Sequence, residues 1–281
     1  FENTRLLNPE IDLGIDVENA NIETIAACFA DNYDTDKTHN CYDVIICRHI
    51  IEHSPKVRNF LNSLNNALKP GGLLVAEVPD CEENLKRGDI IMVWEEHVSY
   101  FTSKSFRRAP KIAGFSEIFF NSYPLTFENC LVSILRKQQA LIQDNHYDLE
   151  ANLFNQFCSQ TSYFKKQIKA LLEAKKENDK RMCLYGAGHL TAAFVNFYNL
   201  ETFFEFIVDD NVNKIGLFLP GTGLEIKHSD SLILDEIDIC ILGLSIEIED
   251  KIMSKNREFY EEGGVFSSIF ISSPMSIYKE I

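Results

Sequence analysis

The chain has 281 residues, of which 45% are hydrophobic and 25% charged, a composition ordinary for a globular protein long enough to form two domains. Its formal net charge of −15 excludes a binder of phosphate backbones, because no excess of basic residues is present to displace counterions. No apolar run is long enough to span a membrane, and no signal peptide is visible. We therefore expect neither a nucleic-acid partner nor a membrane association.

The chain contains eight cysteines, and none of them belongs to a C-x-x-C pair. This spacing supports neither a zinc site nor a redox motif, so no metal site is expected. Cys47, Cys183 and Cys240 lie in apolar segments, which favours reduced core thiols in a cytoplasmic protein. The sequence opens at Phe1 in the middle of an element, and we interpret it as part of a longer chain.

Two strands are predicted near the beginning of the chain. Residues 11–16 read IDLGID, an apolar run that ends in the carboxylate of Asp16. Residues 28–30 form a shorter apolar run, which is followed by Asp31 and Asn32. Both acids would then lie at the carboxyl ends of strands, where open α/β sheets bind their ligands.

The clearest pattern in the sequence is a pair of short apolar runs. Residues 44–47 are apolar, too few for a helix, and Arg48 and His49 come directly after them. Residues 72–78 form a second apolar run, which is introduced by a Lys-Pro-Gly-Gly turn. An amphipathic segment at residues 57–68 separates the two runs. This order predicts a βαβ unit with two parallel strands.

The next elements complete one sheet and lead to a second. Residues 103–113 predict a helix that Pro110 should shorten or kink and that ends at a glycine. Residues 117–122 and 129–135 predict two strands that pair antiparallel at the edge of the sheet. From residue 138 to 180, apolar residues recur at helical spacing and predict one or two long helices between two domains.

A second α/β pattern starts at Met182, where strand, glycine turn and helix follow as MCLYGAGHLTAAFVNFY. Gly186 and Gly188 would let the backbone approach a phosphate at the start of that helix. Asp209 follows about twenty residues later at the end of the next predicted strand, which is the spacing of dinucleotide-binding turns. A nicotinamide-dependent enzyme is therefore one hypothesis for this part of the chain.

Several segments together resemble a known family. They read YDVIICRHIIEH at residues 42–53, LKPGGLLVAEVPD at 68–80 and WEEHVSYFT at 94–102. The first two resemble the fourth and fifth strands of class I S-adenosylmethionine-dependent methyltransferases. The third resembles the Y-x-E-H-x-S-Y-F signature of the C-methyltransferases that act on nucleotide-linked keto-deoxysugars. Residues 185–188, 208–216 and 220–222 resemble the C-terminal Rossmann-like domain of the same enzymes.

This resemblance implies an α/β fold in two domains. Residues 1–137 would form an incomplete class I methyltransferase sheet, residues 138–180 a helical linker, and residues 181–281 a Rossmann-like substrate domain. In the family, a glycine-rich loop after the first strand cradles the methyl donor, and a zinc-binding domain precedes it. Neither pattern occurs in this sequence.

The implied cofactor is S-adenosylmethionine. Asp16 could accept hydrogen bonds from the ribose hydroxyls, with capping of the following helix as the alternative. Asp31 and Asn32 could receive the adenine amino group or form an ordinary polar turn. Arg48 and His49, at the exit of a strand, complete the candidate cofactor-binding residues.

The candidate catalytic residues are His53, Glu96, His97 and Tyr100. His53 and the Glu96-His97 pair follow two neighbouring strands, so both loops should open at the same edge of the sheet. The resemblance implies that they line the active site. Methylation of a carbon next to a ketone needs a base for the α-proton, and a histidine beside a carboxylate is suited to that role near neutral pH. Tyr100 could donate a hydrogen bond to the sugar or could serve only in packing.

Candidate substrate-binding residues are assigned by the same resemblance, because the family uses its C-terminal domain to contact the substrate nucleotide. They are Trp94, Tyr185, Gly186, Gly188 and Asp209. Trp94 stands where the signature has a tyrosine, and an indole cannot shuttle a proton as a phenol can.

The sequence thus predicts an S-adenosylmethionine-dependent methyltransferase that methylates a carbon of a nucleotide-linked keto-deoxysugar, a small-molecule substrate. Two alternatives stay open. One is a non-catalytic nucleotide-binding or assembly module that has lost the donor loop, and the other is an NAD-dependent enzyme built on the C-terminal domain. The sugar, the nucleotide, the acceptor atom and the oligomeric state are not specified by the sequence.

Overall fold

A computed structural model describes residues 3–16, 18, 20–33, 39–94, 96–125, 129–138 and 150–281. The chain divides into two compact units. Unit 1 comprises Phe1–Asn84 and Glu95–Leu149, and unit 2 comprises Leu85–Trp94 and Glu150–Ile281. Both units are α/β, as the sequence predicted.

Unit 1 is built on a four-stranded sheet with the order β1-β2-β4-β3. Its strands are β1 (Tyr42–Arg48), β2 (Leu68–Asp80), β3 (Phe115–Tyr123) and β4 (Asn129–Lys137). Strands β1 and β2 are parallel, with Val44 opposite Leu73 and Cys47 opposite Ala76. Strand β4 is antiparallel to both β2 and β3. The predicted βαβ unit and the predicted antiparallel edge are therefore both present.

The unit 1 helices are α1 (Pro9–Leu13), α2 (Ile22–Asn32), α3 (Val57–Ala67) and α5 (Ser103–Ile112), and α4 (Glu82–Arg87) contains the boundary between the units. Helix α3 places Phe60, Leu61 and Leu64 at helical spacing, and all three are buried against the sheet with Leu74 of β2. Full burial of a side chain such as Leu74 contributes about 1.5–3 kcal/mol. This packing fixes the ends of β1 and β2, from which the candidate site is built.

Two sequence predictions at the start of the chain are wrong. Residues 11–13 belong to helix α1, because Asn8 caps its N-terminus, Pro9 occupies the first turn and Gly14 ends it with a φ of +67°. Residues 28–30 belong to helix α2, which begins after the cap residue Asn21. Asp16 and Asp31 therefore do not lie at the ends of strands.

Helix α5 carries its predicted proline in the last turn, and it ends two residues later at Ile112. Thr102 caps its first turn by accepting a hydrogen bond from the backbone N of Ser105 at 3.2 Å, while Thr102 N donates to Ser105 Oγ at 2.9 Å. This reciprocal capping box satisfies two backbone donors at once. Its position fixes the direction in which the preceding loop enters the helix.

Unit 2 is built on a five-stranded parallel sheet with the order β7-β6-β5-β8-β9. Its strands are β5 (Met182–Tyr185), β6 (Ile207–Val208), β7 (Ile226–Lys227), β8 (Ile239–Leu242) and β9 (Val265–Ser268). Alternate residues of β5 enter two different hydrophobic clusters, one containing Leu184 and the other Cys183. Both faces of the sheet are thus covered, as is usual for parallel sheets.

The unit 2 helices are α6 (Ala151–Glu177), α7 (His189–Tyr198), α8 (Ser231–Leu234), α9 (Ile246–Lys255) and α10 (Arg257–Glu261). Helix α6 supplies Ile168 and Leu172 to the same cluster as Leu184. The predicted linker at residues 138–180 falls partly on residues 139–149, which lie outside the described residues. The domain boundaries at 137 and 180 stay a prediction. No helix within the described parts of the chain combines the length and the apolar character needed to cross a bilayer.

Candidate active site

The end of β1 places several polar side chains together. Arg48 donates two hydrogen bonds to the carboxylate of Glu77, from Nε at 2.6 Å and from Nη2 at 2.8 Å. The Arg48 guanidinium holds the pKa of Glu77 at about 2. His49 lies 3.0 Å from the same carboxylate through Nε2. Its backbone adopts a φ of +48°, a region that costs a residue with a side chain about 1–2 kcal/mol.

Directly after this corner, the short 3-10 turn Ile51–His53 is joined to the loop that follows β2. The backbone oxygen of Glu52 accepts hydrogen bonds from the N–H groups of Val98 at 2.9 Å and Ser99 at 3.0 Å. His53 Nδ1 lies 2.7 Å from the backbone oxygen of Glu96. Because a carbonyl only accepts, this bond places the proton of a neutral His53 on Nδ1 and leaves Nε2 as the acceptor. We call these joined segments, residues 51–53 and 96–99, the histidine clasp.

The histidine clasp brings together two of the predicted catalytic side chains. The rings of His53 and His97 are 4.8 Å apart between centroids and meet edge to face. His53 is 6% exposed and His97 is half-buried. The ring of Tyr100 lies 6.2 Å from that of His97. The side chain of Glu96 is exposed, and only its backbone oxygen contacts His53.

One buried carboxylate in this cluster was missed by the sequence analysis. Glu52 is 1% exposed, and one of its carboxylate oxygens lies within 4.8 Å of a ring nitrogen of both His53 and His97. Glutamate is seldom fully buried unless it has a partner. The signal in the sequence was its position between Ile51 and His53 in the turn after β1.

The described residues bring together two groups of donor atoms close enough to share a metal ion. The first contains Glu52 with His53 and His97, and the second contains His49, Glu77 and Cys130. In the second group, Glu77 is already neutralised by Arg48, which disfavours a cation there. In the first group, the bond from His53 Nδ1 to a backbone carbonyl leaves Nε2 as an acceptor, so the group can exchange a proton with a ligand.

The candidate cofactor-binding residues are not brought together as the sequence suggested. Asp16 accepts a hydrogen bond from the backbone of Glu18 at 3.1 Å in a local turn, and the strand that was to present it is absent. Asp31 pairs with Lys56 at 2.7 Å near the end of α2. The side chain of Asn32 lies outside the described residues. The strand-end argument for Asp16 and Asp31 therefore fails.

The glycine turn of unit 2 is closed by its own protein contacts. Asp209 accepts hydrogen bonds from the backbone of Ala187 at 2.9 Å, from the backbone of Asn211 at 2.8 Å and from Lys214 Nζ at 3.0 Å. A ribose would have to displace these donors. This arrangement disfavours the NAD-dependent alternative, in which Asp209 would bind the ribose hydroxyls.

The remaining substrate-binding candidates lie around the same turn. Tyr185 is 1% exposed and donates a hydrogen bond to Asp210 at 2.6 Å, so its hydroxyl is used inside the unit. Gly186 has a φ of +97°, whereas the space beside the Cα of Gly188 is open. Trp94 belongs to unit 2 and stacks on His189, the first residue of α7, with 4.1 Å between ring centroids. Trp94 and Gly188 thus present accessible surface in this unit.

Comparisons with known proteins agree with the two-part organisation. The model of a methyltransferase domain matches residues 8–118, and the model of the C-methyltransferase C-terminal domain matches residues 136–270. The C-methyltransferase NovU of Streptomyces niveus is 24% identical over 262 residues, an alignment that covers 87% of this chain. The chain spans 61% of the length of that relative. Most of the chain is thus similar to methyltransferases, with a methyltransferase domain in its first part and a C-methyltransferase C-terminal domain in its second.

Solved structures align with a smaller part of the chain. An S-adenosylmethionine-dependent methyltransferase from Methanosarcina mazei is 18% identical, covering 36% of this chain and 62% of its own, with a TM-score of 0.31. The 1,6-didemethyltoxoflavin-N1-methyltransferase of Burkholderia thailandensis, solved with S-adenosylhomocysteine, is 15% identical, covering 36% of this chain and 46% of its own, with a TM-score of 0.29.

Proposed function

We propose that the protein transfers a methyl group from S-adenosylmethionine to a carbon atom of a nucleotide-linked keto-deoxysugar. The similarity to a C-methyltransferase C-terminal domain supports transfer to carbon. The E-H-x-S-Y-F segment, which contains His97 and Tyr100, supports the sugar substrate through its resemblance to the enzymes that act on such sugars. The single observation that carries the proposal is the contact between His53 and His97, because this reaction needs a base.

The reaction requires a proton to leave the carbon next to the ketone. In the histidine clasp, Nε2 of His53 can accept a proton while Nδ1 stays bound to the Glu96 oxygen. His97 lies beside it and can take the same proton or donate a hydrogen bond to the enolate oxygen. The C–H electron pair then becomes the enolate, whose carbon is the nucleophile. The chain's contribution is to hold base and donor in one fixed geometry.

The methyl donor supplies an electrophilic methyl group on a sulfonium. The described residues of unit 1 do not form its cradle, since Gly14 and Gly114 follow helices and Gly71 and Gly72 lie within β2. A nucleotide cradle requires a glycine turn between a strand and a helix. The described residues therefore account for the acceptor side of the reaction only.

Unit 2 is proposed to bind the nucleotide part of the substrate. Trp94 offers an aromatic face beside α7, and Gly188 offers an open backbone at the N-terminus of that helix. A helix N-terminus favours the negative charge of a diphosphate. We further propose a cytoplasmic location, which is supported by the absence of a disulfide among the eight cysteines, all of them in the described parts of the chain.

The proposal is tested by supplying deuterium-labelled S-adenosylmethionine with a panel of nucleoside-diphosphate-linked keto-deoxysugars to the protein expressed from its complete coding sequence. Mass spectrometry should detect a labelled methyl group on the sugar, and NMR should locate it on a carbon adjacent to the ketone. A methyl group on oxygen or nitrogen would contradict the proposed acceptor. Binding of the nucleotide sugars without transfer to any of them would favour the non-catalytic module.

A further inference from the structure

Glu52 has the most buried carboxylate of the histidine clasp. It is 1% exposed and lies in the turn after β1, between Ile51 and His53. Its carboxylate is within 4.8 Å of ring nitrogens of both His53 and His97. No other acidic side chain among the described residues is grouped with these two histidines in this way.

The same residue also fixes the position of His97. The Glu52 backbone oxygen receives the N–H groups of Val98 and Ser99, the two residues that follow His97. These backbone contacts set the separation between the segments that carry Glu52 and His97. Burial of the Glu52 side chain also restricts the rotamers that its carboxylate can adopt beside the imidazole.

Glu52 lies in a poorly solvated interior, where electrostatic interactions are stronger than in water. Burial raises the pKa of the Cys47 thiol, and the Glu52 carboxylate raises it further. His49 faces Glu52 from the other side, with Nδ1 at 3.6 Å from Oε1. The ionisable groups that the structure places around Glu52 are thus Cys47, His49, His53 and His97.

Glu96, the carboxylate that the sequence pattern favours, is differently placed. Its side chain is exposed to solvent, and only its backbone oxygen contacts His53. A charge in water is screened, whereas a buried charge is screened much less. The two carboxylates therefore differ in their ability to stabilise a positive imidazolium.

We propose that Glu52 is the positioning residue of the reaction. Its buried carboxylate favours the imidazolium that forms when the His53–His97 pair takes up the α-proton, and its backbone holds the pair in place. Glu52 itself does not touch the substrate and does not take up the proton. The catalytic role of Glu52 rests on the proposed function. Its interaction with the two histidine rings can be measured without turnover.

The test is the substitution Glu52→Gln, which keeps the size of the side chain and removes its charge. A nearby negative charge favours the protonated imidazole, so its loss should move the acidic limb of the pH profile of kcat/KM to lower pH. We expect kcat to fall, because the base is weaker, and KM to change little. NMR titration of the histidine ring protons in the resting protein should show the same displacement of the midpoint.

Two further variants separate charge from structure. Glu52→Asp retains the charge and should restore the pH midpoint even where its shorter side chain lowers kcat. Glu247→Gln removes an equal charge from an exposed position on α9 and should leave both profiles unchanged. Far-UV circular dichroism and thermal melting of each variant show whether the fold is retained. If Glu52→Gln does not fold, Glu52→Asp is tested in its place.

An unchanged midpoint in folded Glu52→Gln would overturn the proposal. A larger displacement in Glu96→Gln than in Glu52→Gln would also overturn it and return the role to Glu96. If Glu52→Asp carries the test, a midpoint displaced to lower pH despite the retained charge would equally overturn the proposal. If no nucleotide sugar is methylated but the NMR midpoint moves as expected, the proposed function fails while the interaction of Glu52 with the histidine pair stands.

Discussion

His97 and His53 lie in contact, but their environments differ. His53 is buried and tied through Nδ1 to a backbone carbonyl, whereas His97 is half-buried and lies beside the ring of Tyr100. The more accessible ring is the better candidate for direct contact with a substrate. We therefore assign proton abstraction to His97 and support of its orientation to His53.

This assignment predicts the behaviour of His97→Ala. Turnover should fall by about 10²–10⁴-fold, the range for a general acid–base group. Affinity for S-adenosylmethionine should change little, since His97 is assigned to the acceptor side. Steady-state kinetics and calorimetry measure the two effects separately. Near-normal turnover in His97→Ala together with its loss in His53→Ala would move the role of base to His53.

Only part of the candidate site could be predicted from the sequence. The meeting of His53 and His97 could be predicted, because both follow parallel strands whose ends share one edge of the sheet. The position of Glu52 in the turn after β1 is visible in the sequence, but its burial is not, since that depends on the loop that packs over it from residues 96–99. Arg48 looked available for a ligand, yet its partner Glu77 lies on the neighbouring strand, 29 residues away.

At the scale of elements, apolar runs predicted the strands well where turns bounded them. Strands β1 and β2 and the turn from β5 to α7 follow from short apolar runs that end in polar residues or glycine. The failure at α1 has a physical reason, since an Asn-Pro start and a glycine end outweighed the apolar run between them. Capping groups satisfy backbone donors that a run of hydrophobic residues cannot.

The capping box of α5 gives a prediction for this element. Thr102→Ala removes the hydroxyl that accepts from Ser105 N, so the free energy of unfolding of unit 1 should fall by about 0.5–2 kcal/mol. Denaturant titration followed by circular dichroism measures the change. Thr102→Ser keeps the acceptor and should recover most of the loss. Equal destabilisation by both variants would show that the methyl group, not the cap, stabilises the helix.

A buried carboxylate on helix α9 accepts hydrogen bonds from serines at and after the end of β9. Glu249 is 3% exposed, and it accepts hydrogen bonds from Ser268 Oγ at 2.5 Å and Ser273 Oγ at 2.7 Å. Glu249→Ala leaves two buried hydroxyls without this acceptor and should destabilise unit 2 by about 2–3 kcal/mol. Glu247→Ala, two residues earlier on the exposed face of the same helix, is the matched control. Similar melting temperatures for the two variants would contradict this account.

At the scale of the whole molecule, stability should depend on pH through groups with displaced pKa values. Partial burial raises the pKa of Asp89 from 3.8 to about 6. The unfolded chain then loses this proton at lower pH than the folded chain, so folding is progressively disfavoured as pH rises from about 4 to 6. Glu77 acts in the opposite sense, since its pKa is lowered and its contribution is lost as pH falls toward about 2.

Asp89→Asn isolates the first of these effects. At pH 7 the variant should be more stable than the parent by about 3 kcal/mol, because it removes a charge that burial disfavours. At pH 4 the two proteins should differ little. Thermal melting across this range provides the comparison. A variant that is less stable than the parent at pH 7 would show that the charge of Asp89 is compensated in the folded protein.

The central claim is that the histidine clasp removes a proton from the carbon next to a ketone. The most direct measurement is hydrogen–deuterium exchange at that carbon in D₂O, followed by NMR, with the keto-deoxysugar substrate and S-adenosylhomocysteine present so that no methyl group can be transferred. The account predicts exchange at a single carbon with the parent protein and its loss in His97→Ala. Exchange at the same rate in the parent and in a variant lacking both His53 and His97 would contradict it.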